Sequence, residues 1–538
     1  METLKLKSQI TLILPAWEKI NAHLKEAVKS VLDQTYPFFA LKVLANSQTE
    51  EKVKKILEDY FSKKLEIVLS GEKSLVPAIN HLLGEEKSDY LILLNQDNWL
   101  WPNALLEVAK KINKKPETDL IYTDEDKIDI FGRHFEPFFK PDWSPDLILS
   151  VMYVGDFLVW KHSLIENIGG LREESEKVMM WDLVLRAAES GVQIEHIPTI
   201  LCSKRGEGKR AAGFILPKEP VILEVQKKIL EDALKRRGIL GEVENGPFPT
   251  SWRIKYEVLG SPLVSIIIST KDRAALLEKC VNGILKNDYP NFELLIVDNR
   301  SIEVETFAYF EKLKKYPKIR ILKYDKLFNI AEIYNFAVKQ ARGEYIVFMG
   351  NDTEPMTNDW LRRMLGYGQR KDVGAVGAKL LYHDGTIQHA GVVLGYGRFP
   401  DKSDHVAGHC FSHFLDIFGY FGFIQLARNC SAVTGAVILT KKNLYQEVKG
   451  FDGQNLKMLF NDVDYCLKLR VKGYYIIYAP DCVLYHRERA SLGKVGVDFK
   501  INPDEVKYMR DKWAFLEDND PFYNPNLSLQ KTDYSLRI

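Results

Sequence analysis

The sequence predicts an α/β protein made of two copies of one open, mostly parallel sheet domain. Three observations carry that expectation. Short apolar runs end in polar turns and alternate with longer amphipathic stretches, the pattern of strand, helix, strand. The alternation begins near the N-terminus and returns after residue 262. Local signatures also repeat: Tyr36-Pro37 with Tyr289-Pro290, Ile168-Gly169-Gly170 with Val448-Lys449-Gly450, and Trp181-Asp182-Leu183 with Val463-Asp464-Tyr465. A spacing of about 253 to 282 residues is far too long for a solenoid and fits a duplicated domain.

In the first copy, Ile10 to Leu14 reads as a buried strand, followed by a helix that stops before Gln34-Thr35-Tyr36-Pro37. Strands at Leu41 to Ala45, Leu65 to Leu69 and Tyr90 to Leu94 follow, with a charged helix over about 50–63 between the first two of them. In the second copy, Val264 to Ile268, Phe292 to Val297 and Tyr345 to Met349 are the corresponding strands. Their polar ends read Asp298-Asn299 and Gly350-Asn351-Asp352. Between the copies, Glu219 to Arg237 reads as one helix ended by Gly238, with a turn-rich segment after it. The expected boundaries are 1–205 for the first domain, 206–261 for a helical connector, 262–515 for the second domain and 516–538 for a tail. The tail is too turn-rich for a helix and is expected to lie over a domain surface.

The chain has 538 residues, of which 46% are hydrophobic, enough for two full cores. Its 74 Lys and Arg nearly balance 73 Asp and Glu, which argues against nucleic-acid binding driven by global charge. Six scattered cysteines contain no CxxC, so neither a disulfide framework nor a zinc ribbon is indicated and a reducing, cytoplasmic setting fits. No window holds ~18 consecutive apolar residues, which leaves peripheral contact at the inner face of a membrane as the expected limit of membrane association.

Three residues could carry chemistry together. Taken alone, Asn461-Asp462 reads as a helix N-cap, Asp352 as a turn acid and His486 as a satisfied histidine. In combination all three fall at the carboxyl edge of one sheet, where ligands of open α/β sheets bind. Carboxylate and imidazole suit Mn²⁺, carboxylate with phosphate suits Mg²⁺, and a remaining carboxylate can act as a general base.

Further motifs sharpen this: Ser265-Ile-Ile-Ile-Ser-Thr-Lys-Asp272, Ile296-Val-Asp-Asn299, Ala341-Arg-Gly-Glu-Tyr345 and Gly350-Asn-Asp-Thr-Glu354. They continue through Gly374-Ala-Val-Gly-Ala-Lys-Leu-Leu381, Gln388-His-Ala-Gly-Val392, Ser431-Ala-Val-Thr-Gly-Ala436 and Phe460-Asn-Asp-Val-Asp464. On these the second copy resembles family 2 glycosyltransferases of the GT-A, Rossmann-like fold. With Phe138-Phe-Lys-Pro-Asp-Trp-Ser-Pro-Asp146 and Tyr523-Asn-Pro-Asn-Leu527, nearly the whole chain resembles the two-domain members associated with O-antigen and rhamnan synthesis.

The resemblance implies an inverting transfer from a UDP-, dTDP- or GDP-sugar to a saccharide or lipid-linked glycan. It implies that Asp462 is the base, that Asp352 and His486 hold Mn²⁺ or Mg²⁺, and that Thr270, Asp272, Asp298, Asn299, Asn351 and Asp352 face the donor. Trp360, Thr434, Gly435 and Asn461 are the implied acceptor contacts. Asn351 departs from the usual first acid of the DxD motif, which removes one carboxylate from the metal site.

The first copy departs further. It has Asn98 in the place taken for that of Asp352, although Asp97 remains beside it, Met180 in place of Asp462, and Cys202-Ser203-Lys204 near the place of His486. Its turn reads Ala45-Asn46-Ser47 in place of Asp-Asn. A catalytically degenerate copy is the expectation. Two alternatives stay open: a bifunctional polymerase with both copies active, and a non-catalytic carbohydrate-binding or scaffold protein. A nucleotide-cofactor dehydrogenase lacks support, because no GxGxxG follows either first strand. The histidines and cysteine at His405, His409, Cys410 and His413 have a spacing that suggests zinc, against a simpler reading as surface histidines.

Overall fold

The computed structural model describes residues 4–60, 62–205, 210–215, 220–396, 406–487, 502–517 and 520–537. Tertiary contacts divide the chain into two units. Unit 1 is Met1–Ile239 with Phe248–Trp252, and unit 2 is Leu240–Pro247 with Arg253–Ile538. The helix between the repeats, Val221–Arg236, lies in unit 1, where Trp252 Nε1 donates to Gln226 Oε1 at 3.2 Å.

Unit 1 is built on β1 (Ile10–Ala16), β2 (Phe39–Ala45), β3 (Leu65–Leu69), β4 (Tyr90–Leu93), β5 (Asn98–Leu100), β6 (Leu120–Ile128), β7 (His134–Phe138), β8 (Leu158–Lys161) and β9 (Ile194–Arg205). The order across the sheet is β3-β2-β1-β4-β8-β6-β9-β5, with β7 beside β6. Strands β3, β2, β1 and β4 run parallel, as do β6 and β9, while β8 and β5 are antiparallel to their neighbours. The core is aliphatic and continuous, with Ile10, Leu12, Leu41, Val43, Ile92 and Ile121 fully buried among helix residues such as Val28 and Leu105. Strands covered on both faces read as unbroken apolar runs, which is why they were visible in the sequence.

Short strands follow: β10 (Arg210–Ala211), β11 (Phe214–Ile215), β12 (Gly241–Asn245) and β13 (Trp252–Tyr256). Unit 2 then repeats the plan with β14 (Val264–Thr270), β15 (Phe292–Asp298), β16 (Ile319–Lys323), β17 (Tyr345–Gly350), β18 (Thr353–Pro355) and β19 (Val373–Leu381). Its remaining strands are β20 (Ile387–His389), β21 (Val392–Leu394), β22 (Ala407–His409), β23 (Arg428–Cys430), β24 (Val437–Lys441) and β25 (Tyr475–His486). The order β16-β15-β14-β17-β24-β19-β25-β18 is that of unit 1, strand for strand. The duplication is therefore structural as well as textual. All six cysteines are buried and free. Among the described residues no helix is long and apolar enough to cross a membrane.

The C-terminal segment packs onto unit 2 through its aromatic side chains. Tyr523, Leu527 and Tyr534 are buried, and Tyr534 stacks on Phe411 with ring centroids 4.7 Å apart. Asp520 accepts a hydrogen bond from Leu394 N at 2.9 Å and binds the Ser431 hydroxyl. Turn residues forbade a helix here, but the aromatics among them needed burial, and unit 2 supplies it.

Candidate active site

The site forms where β14, β15 and β17 end and the helix Asn461–Val471 begins. Parallel register sets Thr270 beside Asp298. Asn351 Nδ2 donates to Thr270 Oγ1 at 3.0 Å and ties the end of β17 to β14. Asp272 Oδ1 accepts from the backbone of Ile302 at 2.7 Å and of Glu303 at 2.9 Å. Asp298 Oδ1 accepts from Ser301 N, and Asn299 Nδ2 donates to the carbonyls of Tyr324 and Lys326. These five strand-end residues come together as a group, and their polar atoms set the shape of the loops around them.

The next part is a strand ladder. Antiparallel pairing of β18 with β25 places His486 opposite Thr353, and Arg487 N donates to Asp352 O at 2.9 Å. His486 Nε2 then lies 3.4 Å from Asp352 Oδ1. His486 Nδ1 is buried with no hydrogen-bond partner. An imidazole with an orphaned nitrogen beside a carboxylate is a donor set that suits a divalent cation. Among the described residues no group of three or more His, Cys, Asp or Glu gathers around one point. A cation bound between Asp352 and His486 would take two protein ligands from the described residues, with its other positions left to water and ligand oxygens, as Mg²⁺ and Mn²⁺ sites on phosphates commonly require.

The third part is Asp462. It does not cap its helix. Phe460 does, in the left-handed region at φ 57°, and Asn461 and Asp462 form the first helical turn. Gly435 N donates to Asp462 Oδ2 at 2.7 Å, and Val463 N to Oδ1 at 2.8 Å. A side chain on Gly435 would press on Asp462, since its Cβ would lie 3.3 Å from the Asp462 Cβ. The carboxylate is thereby fixed at the rim of a cavity of about 360 Å³, lined among others by Tyr334, Gly350, His409, Gly435, Asp462 and His486.

The two acids of the Asn461–Val471 helix divide their work. Asp464 is fully buried and carries three partners: Trp513 Nε1 at 2.9 Å, Lys512 Nζ at 2.6 Å and Lys468 Nζ at 3.1 Å. It belongs to the core, not the cavity. Of the expected acceptor contacts, Gly435 and Asn461 line the cavity. The Asn461 amide donates to Met458 O, and Thr434 Oγ1 accepts from Ala436 N. Trp360 does not reach the site: it is 0% exposed at the start of the helix Trp360–Gly368.

Two residues escaped the sequence reading. Glu505, on the helix Pro503–Glu517, accepts from the backbone of Lys457, Met458 and Leu459 at 2.9 to 3.2 Å and pins the loop that delivers Phe460 and Asp462. Tyr334 lies in the cavity wall. Neither sits in a recognisable motif, because each acts across a long sequence separation. The zinc reading fails for its described members. His409 Nδ1 bonds to Gln388 O, Cys410 is buried against Ala390 O and Arg428, and His413 stacks on Tyr382. His405 lies outside the described residues.

Unit 1 shows the same edge with other residues. Its ladder pairs Asn98 with Lys204, and Arg205 N donates to Asp97 O at 3.0 Å. The counterpart of Asp352 is therefore Asp97 and not Asn98, and Lys204 takes the rung of His486. Reading the pair one residue out of register turned the side chain to the other face. Lys204 Nζ pairs with Asp156 Oδ2 at 2.6 Å. Burial opposes its charge, yet Asp156 and Asp97 hold the ammonium above its ordinary pKa. Gly155 stands where unit 2 has Gly435, and a Cβ there would run into Glu125 Oε2 and Lys140 Nζ. Those two pair at 3.0 Å. An ion pair thus fills the place that Asp462 holds in unit 2.

Comparison with known proteins decides the family. The glycosyl transferase family 2 profile matches residues 11–168 and 265–448. The chain belongs to glycosyl transferase family 2. This family 2 chain is 35% identical to the O-antigen biosynthesis protein RfbC of Myxococcus xanthus, covering 98% of this chain and 41% of that protein. It is 36% identical to the uncharacterized protein y4gI of Sinorhizobium fredii, covering 98% and 58% respectively. The chain thus spans about half the length of these curated relatives. Among solved structures, the mannosyltransferase PcManGT of Pyrobaculum calidifontis in complex with GDP-Man and Mn²⁺ overlaps 48% of this chain and 70% of its own, at 18% identity and TM-score 0.33. GalNAc-T7 with UDP, GalNAc and Mn²⁺ overlaps 48% and 50%, at 11% identity and TM-score 0.39. Neither overlap is close enough to carry residue roles across.

Proposed function

We propose that unit 2 is a metal-assisted, inverting glycosyltransferase. It moves a sugar from a nucleotide-diphosphate donor to a hydroxyl of a saccharide or lipid-linked saccharide during cell-surface polysaccharide synthesis. The observation that carries this is one cavity lined by both a backbone-anchored carboxylate, Asp462, and His486, whose Nε2 lies 3.4 Å from Asp352. The RfbC likeness supports the O-antigen context. The catalytic portion is read as 262–515, with unit 1 silent.

Asp462 accepts the proton of the acceptor hydroxyl as that oxygen attacks the anomeric carbon. Its two backbone hydrogen bonds hold the accepting carboxylate in place before the acceptor arrives, so less ordering is needed in the transition state. Asp352 and His486 would hold Mn²⁺ or Mg²⁺, which when bound supplies charge stabilisation to the departing diphosphate. Thr270, Asp272, Asp298, Asn299 and Asn351 are read as the nucleotide end of the donor site. The acceptor end is read as Gly435 and Asn461, with Thr434 behind them. The test is release of nucleoside diphosphate from a donor panel that includes GDP-mannose and UDP-GlcNAc, with a saccharide acceptor and MnCl₂. Acceptor-dependent release supports the reading. Binding of saccharide without any turnover of donor would favour a carbohydrate-binding protein.

A further inference from the structure

The cavity of unit 2 contains a polar group that the proposed mechanism does not use. Tyr334 lies on the helix Ile330–Gln340 and is 5% exposed, yet it lines the cavity beside Gly350, Ala436 and Asp462. Its ring is wedged between Phe348 and Phe451, with centroids 4.8 Å and 5.9 Å away. Side-chain freedom is therefore small. Burial pushes the phenol's pKa above its ordinary value, and the carboxylates of Asp352 and Asp462 push it further. The hydroxyl stays protonated and is an O–H donor. Among the described residues it makes no hydrogen bond. Asp462 has both carboxylate oxygens engaged by backbone N–H groups. The hydroxyl is not among the fully buried polar atoms, so it opens to the cavity, where a ligand oxygen can accept from it.

The position narrows what that ligand atom is. Tyr334 lines the same cavity as Asp462 and as His486, which lies 3.4 Å from Asp352, so the phenol borders the space they share. In a direct displacement the leaving oxygen lies at the Asp352 side and the attacking oxygen at the Asp462 side. The transferred sugar lies between them. Resting on the glycosyltransferase reading above, we infer that Tyr334 donates a hydrogen bond to a hydroxyl of the transferred sugar and so takes part in selecting the donor. The nucleotide and the diphosphate are held elsewhere, at the strand ends and the ladder.

Tyr334→Phe isolates this, because it keeps the ring between Phe348 and Phe451 and removes only the hydroxyl. The probes are GDP-mannose, UDP-GlcNAc, UDP-glucose and dTDP-glucose, with GDP, UDP and dTDP, titrated calorimetrically into the full chain with MnCl₂. The expected result is about tenfold weaker binding of the preferred nucleotide sugar. Affinity for the matching nucleoside diphosphate stays within about twofold, and the thermal midpoint does not fall, since no protein hydrogen bond is lost. Equal weakening of sugar and diphosphate forms would overturn the inference in favour of a phosphate contact. A lowered midpoint with both weakened would overturn it in favour of a packing role, and unchanged binding would overturn it outright. A wild type that binds nucleoside diphosphates but gains nothing from any attached sugar would also overturn it. A wild type that binds no probe would overturn the glycosyltransferase reading, and this inference with it.

Discussion

In unit 2 the residue across the ladder from Thr353 is His486, and in unit 1 the residue across from Asn98 is Lys204. The acids beside these rungs, Asp352 and Asp97, are the same. Histidine leaves a nitrogen without a partner, whereas lysine brings its own positive charge and spends it on Asp156. Next to the rung, unit 2 has a carboxylate held by Gly435 N and unit 1 has a closed Glu125–Lys140 pair. One edge is left incomplete and the other neutralises itself. The comparison shows that one scaffold can carry different charged groups at the same strand ends through a few residues, with the core untouched.

The sharpest way to break this comparison is at the base. Asp462→Asn preserves size and the hydrogen bond from Gly435 N but cannot take a proton. Transfer is expected to fall by about 10³-fold with donor affinity nearly unchanged, measured by product formation and by calorimetry. Retained turnover would remove Asp462 from the mechanism. The next test moves unit 1's solution into unit 2. In His486→Lys the new ammonium is expected to pair with Asp352, abolish stimulation by MnCl₂ and reduce transfer by about 10²-fold, seen in a metal titration of initial rate.

A third pair of substitutions asks what the two units share. Asp464 and Asp182 are both 0% exposed, the first held by two lysines and a tryptophan, the second by Arg172 and Arg186. Asp464→Asn and Asp182→Asn each leave partly buried cations under-compensated. Each is expected to destabilise its own unit by about 3–5 kcal/mol, visible as a lowered unfolding transition. The smallest effect is expected at Met180→Ala, which should leave transfer within about twofold of wild type, since a thioether was never available as a base. Loss of one product linkage in that variant would make unit 1 a second active site.

The strands were legible because both faces of each sheet are covered, so buried runs stand out against polar turns. Asp352, Asp462 and His486 were legible as candidates because each follows or opens a regular element. Register was not legible. Asp97 and Asn98 are adjacent, and only the ladder with β9 shows which one faces the edge. The N-cap role assigned to Asn461 and Asp462 also failed, because local composition does not reveal that Phe460 adopts a positive φ. Tyr334 and Glu505 were invisible for a further reason. Their importance comes from what the fold brings to them, and nothing in a tyrosine or glutamate within an amphipathic helix records it.

The segment that begins at Asp520 has a consequence for synthesis. Asp520 grips Leu394 across 126 residues of sequence, and Trp513 reaches back to Asp464 across 49. During translation Asp352 leaves the ribosome before His486, and the loop Lys457 to Leu459 before the Glu505 that pins it. Contacts of such separation form late, after the cost of closing a long loop has been met. Unit 1 has its whole core in hand while unit 2 is still being made, so the nascent chain is expected to carry a finished N-terminal unit ahead of an unfinished C-terminal one. Pulse-labelled chains stalled before residue 520 should then show protease resistance in the N-terminal unit alone.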